Sequence, residues 1–196
     1  MAPPPPPPPR HSALCRCIAG VLLSLIIITG LTILIIWLAV QPRKLKYSIE
    51  HGSIGGYSLA KDDHLNASFH FVLRADNPNR RISVYYDRID VTVSYEDQKL
   101  SVNNVHPFYQ RRRNVTHVDM DLVAKNAVLF GAVARDLKME RGSGDVDLDV
   151  RIRAAIRMKI GVFKIHRTLK VLCEQVTVPF NSSQSFTRVY CDSDID

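Results

Sequence analysis

The 196 residues carry a formal net charge of +7 and a pI near 9.4, a mild basicity that serves solubility and suits anionic headgroups or acidic polysaccharide. No recognition helix and no zinc-ligand spacing is present, so nucleic acid is not an expected partner. With the first 40 residues set aside as tail and anchor, the remainder suits one domain able to bury its own core.

Residues 1–17 read as a short tail. Pro3 to Pro9 is an unbroken proline run, a stiff polyproline II spacer with a solvated backbone. Cys15 and Cys17 follow at the expected headgroup level, where a thiol can be S-acylated. Residues 18–40 hold no charge, and as a helix they reach roughly 34 Å, enough to cross a hydrocarbon core of about 30 Å. A cleavable signal peptide wants an apolar region of about 7 to 15 residues and a small-x-small exit. The exit here is Ile-Ile-Trp37-Leu-Ala-Val-Gln-Pro42, with Trp37 placed as an interfacial aromatic. The segment is therefore expected to stay as a signal anchor integral to the lipid bilayer. Gly20 and Ser24 stand at small-xxx-small spacing, which would allow a homo-oligomer through the span.

Arg10 and Arg16 before the span nearly balance Arg43, Lys44 and Lys46 after it, so flanking charge does not orient the chain. Three glycosylation triplets, at Asn66, Asn114 and Asn181, all follow the span. Cys173 and Cys191 lie close enough in sequence to bridge neighbouring strands in an oxidising compartment. Both features point to a type II arrangement, with a cytosolic N-terminus and a lumenal or extracellular C-terminal region.

Residues 41–64 read as a membrane-proximal segment, in which Gly52, Gly55 and Gly56 suggest a surface turn. Residues 65–196 read as the folded domain, and period-two alternation dominates there. Ala67, Phe69, Phe71, Leu73 and Ala75 alternate with polar residues; Ile89, Val91, Val93 and Tyr95 do the same, and a polar turn from Glu96 to Lys99 predicts a hairpin. Asp145 to Ile160 is the longest alternating run, long enough to predict a bend or bulge. Leu169, Val171, Cys173, Val176 and Val178 continue the pattern, and a last strand is predicted over Ser185 to Cys191. Ala127, Phe130, Val133, Ala134 and Leu137 recur instead at helical spacing, with Asn126 as the expected cap and Gly142 and Gly144 at the end. About seven strands and one helix predict an all-β fold, an antiparallel sandwich, because parallel sheets need repeated crossover helices.

Catalytic signatures do not emerge. The histidines are scattered, no H-E-x-x-H or G-x-S-x-G occurs, and no metal or other cofactor is expected. Asp145, Asp147 and Asp149 resemble the start of a calcium loop, but Val150 and Ile156 stand where that loop needs Gly and Glu. A solvated strand face paired with basic residues across strands is the better expectation. Arg111, Arg112 and Arg113 form a dense positive cluster, read either as a solvated loop or as a contact for phospholipid headgroups or acidic wall polymer.

The segment Asn77-Pro-Asn-Arg-Arg-Ile-Ser-Val-Tyr-Tyr-Asp87 resembles the hallmark motif of the plant harpin-induced and non-race-specific-disease-resistance-like (NHL) proteins. Pro107-Phe-Tyr-Gln110, the strand around Arg151 to Gly161, Lys170-Val-Leu-Cys173 and Cys191 follow in that family's order. The resemblance implies a late-embryogenesis-abundant group 2 domain with an immunoglobulin-like or fibronectin III-like sandwich, at the plant plasma membrane; the alternative location is the endoplasmic reticulum or another endomembrane. It also implies no enzymatic activity and a role in defence and stress responses through an extracellular or membrane protein partner or a wall glycan; the alternative is a lipid or small-ligand binder. The residues alone give the motif a structural reading. Pro78 ends the preceding strand, Asn79 tolerates a turn, and Tyr85 or Tyr86 gives a ring to the core and a hydroxyl to a backbone partner, while Asp87 and the tyrosines border an exposed edge.

Overall fold

The computed structural model describes residues 10–40, 43–60, 62–180 and 185–196 and divides the chain into two compact units, Met1–Gln41 and Pro42–Asp196. The first unit holds helix α1, Arg10–Val40, with an apolar stretch over Cys15–Ile35 long enough to cross a membrane. The hydroxyls of Ser24, Thr29 and Thr32 donate within the helix, to the carbonyls of Val21, Leu25 and Ile28. Such back-bonding is what a hydrocarbon setting requires of hydroxyl side chains, because lipid offers no other partner.

The second unit is a sandwich of nine antiparallel strands with one further helix. The strands are β1 (Lys46–Leu59), β2 (His64–Asn77), β3 (Ile82–Tyr95), β4 (Gln98–Val105), β5 (Phe108–Gln110), β6 (Asn114–Val128), β7 (Asp145–Ile160), β8 (Phe163–Pro179) and β9 (Val189–Ile195). They run in the order β4-β3-β7-β8-β9-β1-β2-β6, with β5 beside β3. Ala67, Phe69, Phe71, Leu73 and Ala75 of β2 are all buried, as are Ile89, Val91, Val93 and Tyr95 of β3 and six alternate residues of β7 from Val146 to Ile156. Each fully buried large apolar side chain contributes about 1.5–3 kcal/mol. The two end strands of the path nearly close on each other through side chains: Asn103 Oδ1 accepts the Val123 N–H at 3.1 Å, and the Ser101 hydroxyl lies 3.0 Å from the Val123 carbonyl. A sheet edge is thereby covered without a full ladder.

Several local expectations are corrected. The glycine-rich stretch is not a surface turn but part of β1, where Gly52 is buried; a Cβ there would lie 2.8 Å from the Phe186 ring and 3.1 Å from that of Phe71. Asn126 does not cap the helix. It sits in β6 with φ +53, and α2 spans Gly131–Ser143, with Phe130 at its N-cap and Gly144 in the left-handed conformation at its end. Ala134 and Leu137 bury the inner face of α2 in the sandwich core. The last strand begins at Val189 rather than Ser185.

A buried polar chain runs through the core. Tyr86 donates its hydroxyl proton to Gln110 Oε1 at 3.1 Å, which leaves Tyr47 to donate to Tyr86 across 2.8 Å. Gln110 Nε2 then donates to the carbonyls of Ala75 and Asn114. Burial pushes the Tyr86 hydroxyl up to about 12 and raises Tyr47 well above the ordinary tyrosine value. Both groups bind their protons more tightly folded than unfolded. Their contribution is fully present below the unfolded value near 10 and is lost as the pH climbs through about 12. In an alkaline titration followed by phenolate absorbance, Tyr47, Tyr86 and the likewise buried Tyr95, three of the seven tyrosines, are expected to ionise only as the fold is lost; ionisation of every tyrosine near pH 10 with the fold intact would contradict their burial.

Candidate functional site

The Asn-Pro-Asn segment forms a buried polar corner. Pro78 biases Asn77 toward extended angles and stops β2, and the Asn77 side chain closes the turn by accepting the Asn79 N–H and Asn79 Nδ2, each at 3.1 Å. Asn77 Nδ2 donates to the carbonyls of Ile82 at 2.9 Å and Arg111 at 3.1 Å. Asn79 reaches the entering chain: Oδ1 accepts the Arg43 N–H at 2.7 Å, and Nδ2 donates to the Arg43 carbonyl at 2.8 Å. The Asn79 carbonyl accepts the Arg113 N–H at 3.0 Å. Asn77 is 0% exposed and Asn79 4%, so these bonds replace water that the buried amides no longer meet.

The rest of the motif divides between inside and outside. Tyr86 is buried, and its hydroxyl meets the side chains of Tyr47 and Gln110 rather than the expected backbone partner. Tyr85 faces outward, stacked on Tyr109 with ring centroids 4.3 Å apart. The Arg157 guanidinium lies 5.4 Å from the Tyr85 ring centre and is held by Asp87 through bonds of 2.6 and 2.5 Å. Asp87 falls in the register shift between Tyr86 and Arg88, and that bulge aims its carboxylate along the surface.

Arg111, Arg112 and Arg113 are exposed in the turn that the corner holds. Asn66 is exposed, with its Oδ1 accepting the Asn126 N–H; Asn114 is half-buried and donates to Thr116; Asn181 lies outside the described residues. Cys15 and Cys17 are free and exposed on α1. Asp147 and Asp149 do not pair with basic residues across strands: they accept from the Thr177 hydroxyl and the Gln175 N–H, while Arg151 approaches Asp149 along the same strand. The sequence marks Arg43 only as a flanking charge and Gln110 only as part of a family segment, and it does not mark Tyr47. Gln110 closes the Pro107-Phe-Tyr-Gln110 segment, and a polar residue ending an aromatic run was the signal available for it.

Two kinds of space are present. Voids inside the sandwich, one between Tyr47, Tyr86, Phe108 and Met120 and another between Leu65, Leu100, Leu137 and Phe180, measure about 10 Å³ each, whereas a site for a small organic ligand takes about 300–1,000 Å³. Outside, β3, β7, β8 and β9 frame an open groove of about 1020 Å³ that includes Arg88, Asp90, Arg151, Arg153, Lys170 and Asp192. Lys170 pairs with Asp196, which keeps that carboxyl below the usual carboxylate range.

These features define a class: a filled β-sandwich that follows an apolar helix in the sequence and carries an open groove on its exterior. The chain belongs to the LEA_2 family, described as late embryogenesis abundant protein, whose model matches residues 72–175. Among curated relatives, NDR1/HIN1-like protein 10 of Arabidopsis thaliana is 32% identical over 98% of this chain and 91% of its own length. NDR1/HIN1-like protein 3 of the same plant is 34% identical over 91% and 79%, and an uncharacterized Arabidopsis protein is 35% identical over 92% and 83%. Among solved structures, a protein from Archaeoglobus fulgidus matches at 12% identity and a TM-score of 0.36 over 64% of this chain and 94% of its own.

Cys173 of β8 and Cys191 of β9 stand in disulfide geometry, with Cα atoms 4.3 Å apart and a separation of 18 residues. Closing such a loop is worth about 3 kcal/mol in the chain-entropy model. Peptide mapping without reduction is expected to recover the linked pair, and reduction to lower stability by that order; free, alkylatable thiols at both positions would reject the bridge.

Proposed function

We propose that the protein is a non-enzymatic interaction module of the plant plasma membrane, held in type II orientation with the sandwich outside the cell, and acting in defence and stress responses. The observation that carries this reading is the contrast, among the described residues, between interior voids of about 10 Å³ and an exterior groove of about 1020 Å³ edged with charge. A partner with opposed charges, protein or wall glycan, fits such a surface better than an apolar ligand does. The family and the names of the relatives support the setting. The exposed Asn66 and half-buried Asn114 fit glycosylation on the far side of the membrane, and exposed Cys15 and Cys17 fit S-acylation on the near side. The alternative, lipid or small-ligand binding, would have to use the outer groove rather than the interior.

Anchoring concentrates such a module near membrane partners. In a plant lacking the gene, the full chain and the same domain on an unrelated span are expected to restore the defence or stress response, while residues 43–196 secreted freely are not. Rescue by the free form would favour a diffusible ligand carrier. Glycosidase treatment of the full chain is expected to increase gel mobility; an unchanged band, with the C-terminal region protected from protease added to intact cells, would reverse the orientation.

A further inference from the structure

The β7–β8 hairpin turns through Gly161, at φ +59, and sets two large apolar side chains at its tip, Val162 at 87% and Phe163 at 70% exposure. The cross-strand pair beside that tip is Lys159 and Lys164, both exposed. Strand register fixes what lies around it. Phe163 pairs with Ile160, and Ile160 with Ile82, so the tip adjoins the start of β3, just after the exposed Arg80 and Arg81. Gln110 pairs with Val84, which brings the Arg111–Arg113 turn to the same end of the sandwich. At about 4.8 Å between neighbouring strands, the row from that turn through β3 and β7 to β8 is roughly 14 Å wide. Among the described residues, the ion pairs formed elsewhere on the domain include none of these arginines or lysines.

We propose that this end of the sandwich is a docking surface for a bilayer bearing anionic phospholipid, in which Val162 and Phe163 enter the boundary between headgroups and acyl chains while the surrounding arginines and lysines bind lipid phosphates. Charge complementarity selects an anionic partner, and the apolar pair selects lipid over acidic polysaccharide, because a hydrated sugar chain offers nothing in which to bury a valine and a phenylalanine. Each basic side chain near an anionic surface is worth about a factor of five in affinity. The inference goes beyond the proposed function and does not need its orientation, since lipid phosphates face both sides of a membrane.

The test uses the full chain in nanodiscs of phosphatidylcholine alone or with about 30% phosphatidylserine, an anionic lipid. Because Trp37 is the only tryptophan, Val162→Trp in a Trp37→Phe background places one reporter at the tip. Docking is expected to shift its emission to the blue and to allow quenching by lipids brominated near the headgroup end of the acyl chain, more strongly with phosphatidylserine. Changing Arg111, Arg112 and Arg113 together to Gln should weaken the phosphatidylserine effect by at least about fivefold. With the native tip, hydrogen exchange of residues 159–164 should slow in the anionic nanodisc, and Val162→Ser with Phe163→Ser should remove that protection. Emission as in water in both nanodiscs, or quenching indifferent to phosphatidylserine and to the arginines, would overturn the proposal. So would protection by soluble polygalacturonate that survives Phe163→Ser, which would assign the surface to acidic polysaccharide.

Discussion

A buried carboxamide left without partners costs about 1–3 kcal/mol per unsatisfied group, and Asn77 and Asn79 meet that requirement by joining four separate pieces of chain. They hold the end of β2 to the start of β3 through Ile82, the turn after β5 through Arg111 and Arg113, and the chain entering the domain through Arg43. No apolar side chain could do this, because dispersion contacts carry no direction whereas each amide bond fixes a backbone group at about 3 Å. The corner therefore sets where the domain's first residues lie, where its arginine turn points, and which end of the sandwich carries positive charge.

The rest of the architecture follows from closing a sheet around a filled core. Ser101 and Asn103 bring β4 to β6, α2 covers part of the core with Ala134 and Leu137, and Tyr47, Tyr86 and Gln110 satisfy one another's buried polar atoms. The voids described inside the sandwich measure about 10 Å³ each, and the large open groove lies among side chains that point outward. The same alternation that packs Tyr86 inside presents Tyr85, with its Tyr109 stack and Arg157 cap, on the surface.

Strands with one buried face were legible because their period was unbroken: β2, the second half of β3 and nearly all of β7 stand out in the sequence. β1 was not, since register shifts between Ile49 and His51 and between Gly55 and Ser58 reset its alternation and its glycines resemble a turn. β6 was hidden for a different reason: Val115 and Val123 are apolar yet more than a third exposed, which blurs the contrast between its faces. Asn126 looked like a helix cap because the residue type suits one, but its positive φ serves a strand irregularity instead. The site was legible as a motif and not as a mechanism. Pro78 shows that a strand stops, but only the fold brings Arg43, Arg111 and Arg113 to the two asparagines, from 34 to 36 residues away in the chain.

The most direct test of the corner's role is amide hydrogen exchange on the full chain in detergent micelles, comparing the native protein with Asn77→Ala. If the corner holds these segments as one unit, the N–H groups of Arg43, Asn79 and Arg113 lose protection together, while those in the centre of β7 keep theirs. Loss confined to Asn79, with Arg43 and Arg113 as protected as before, would contradict the account.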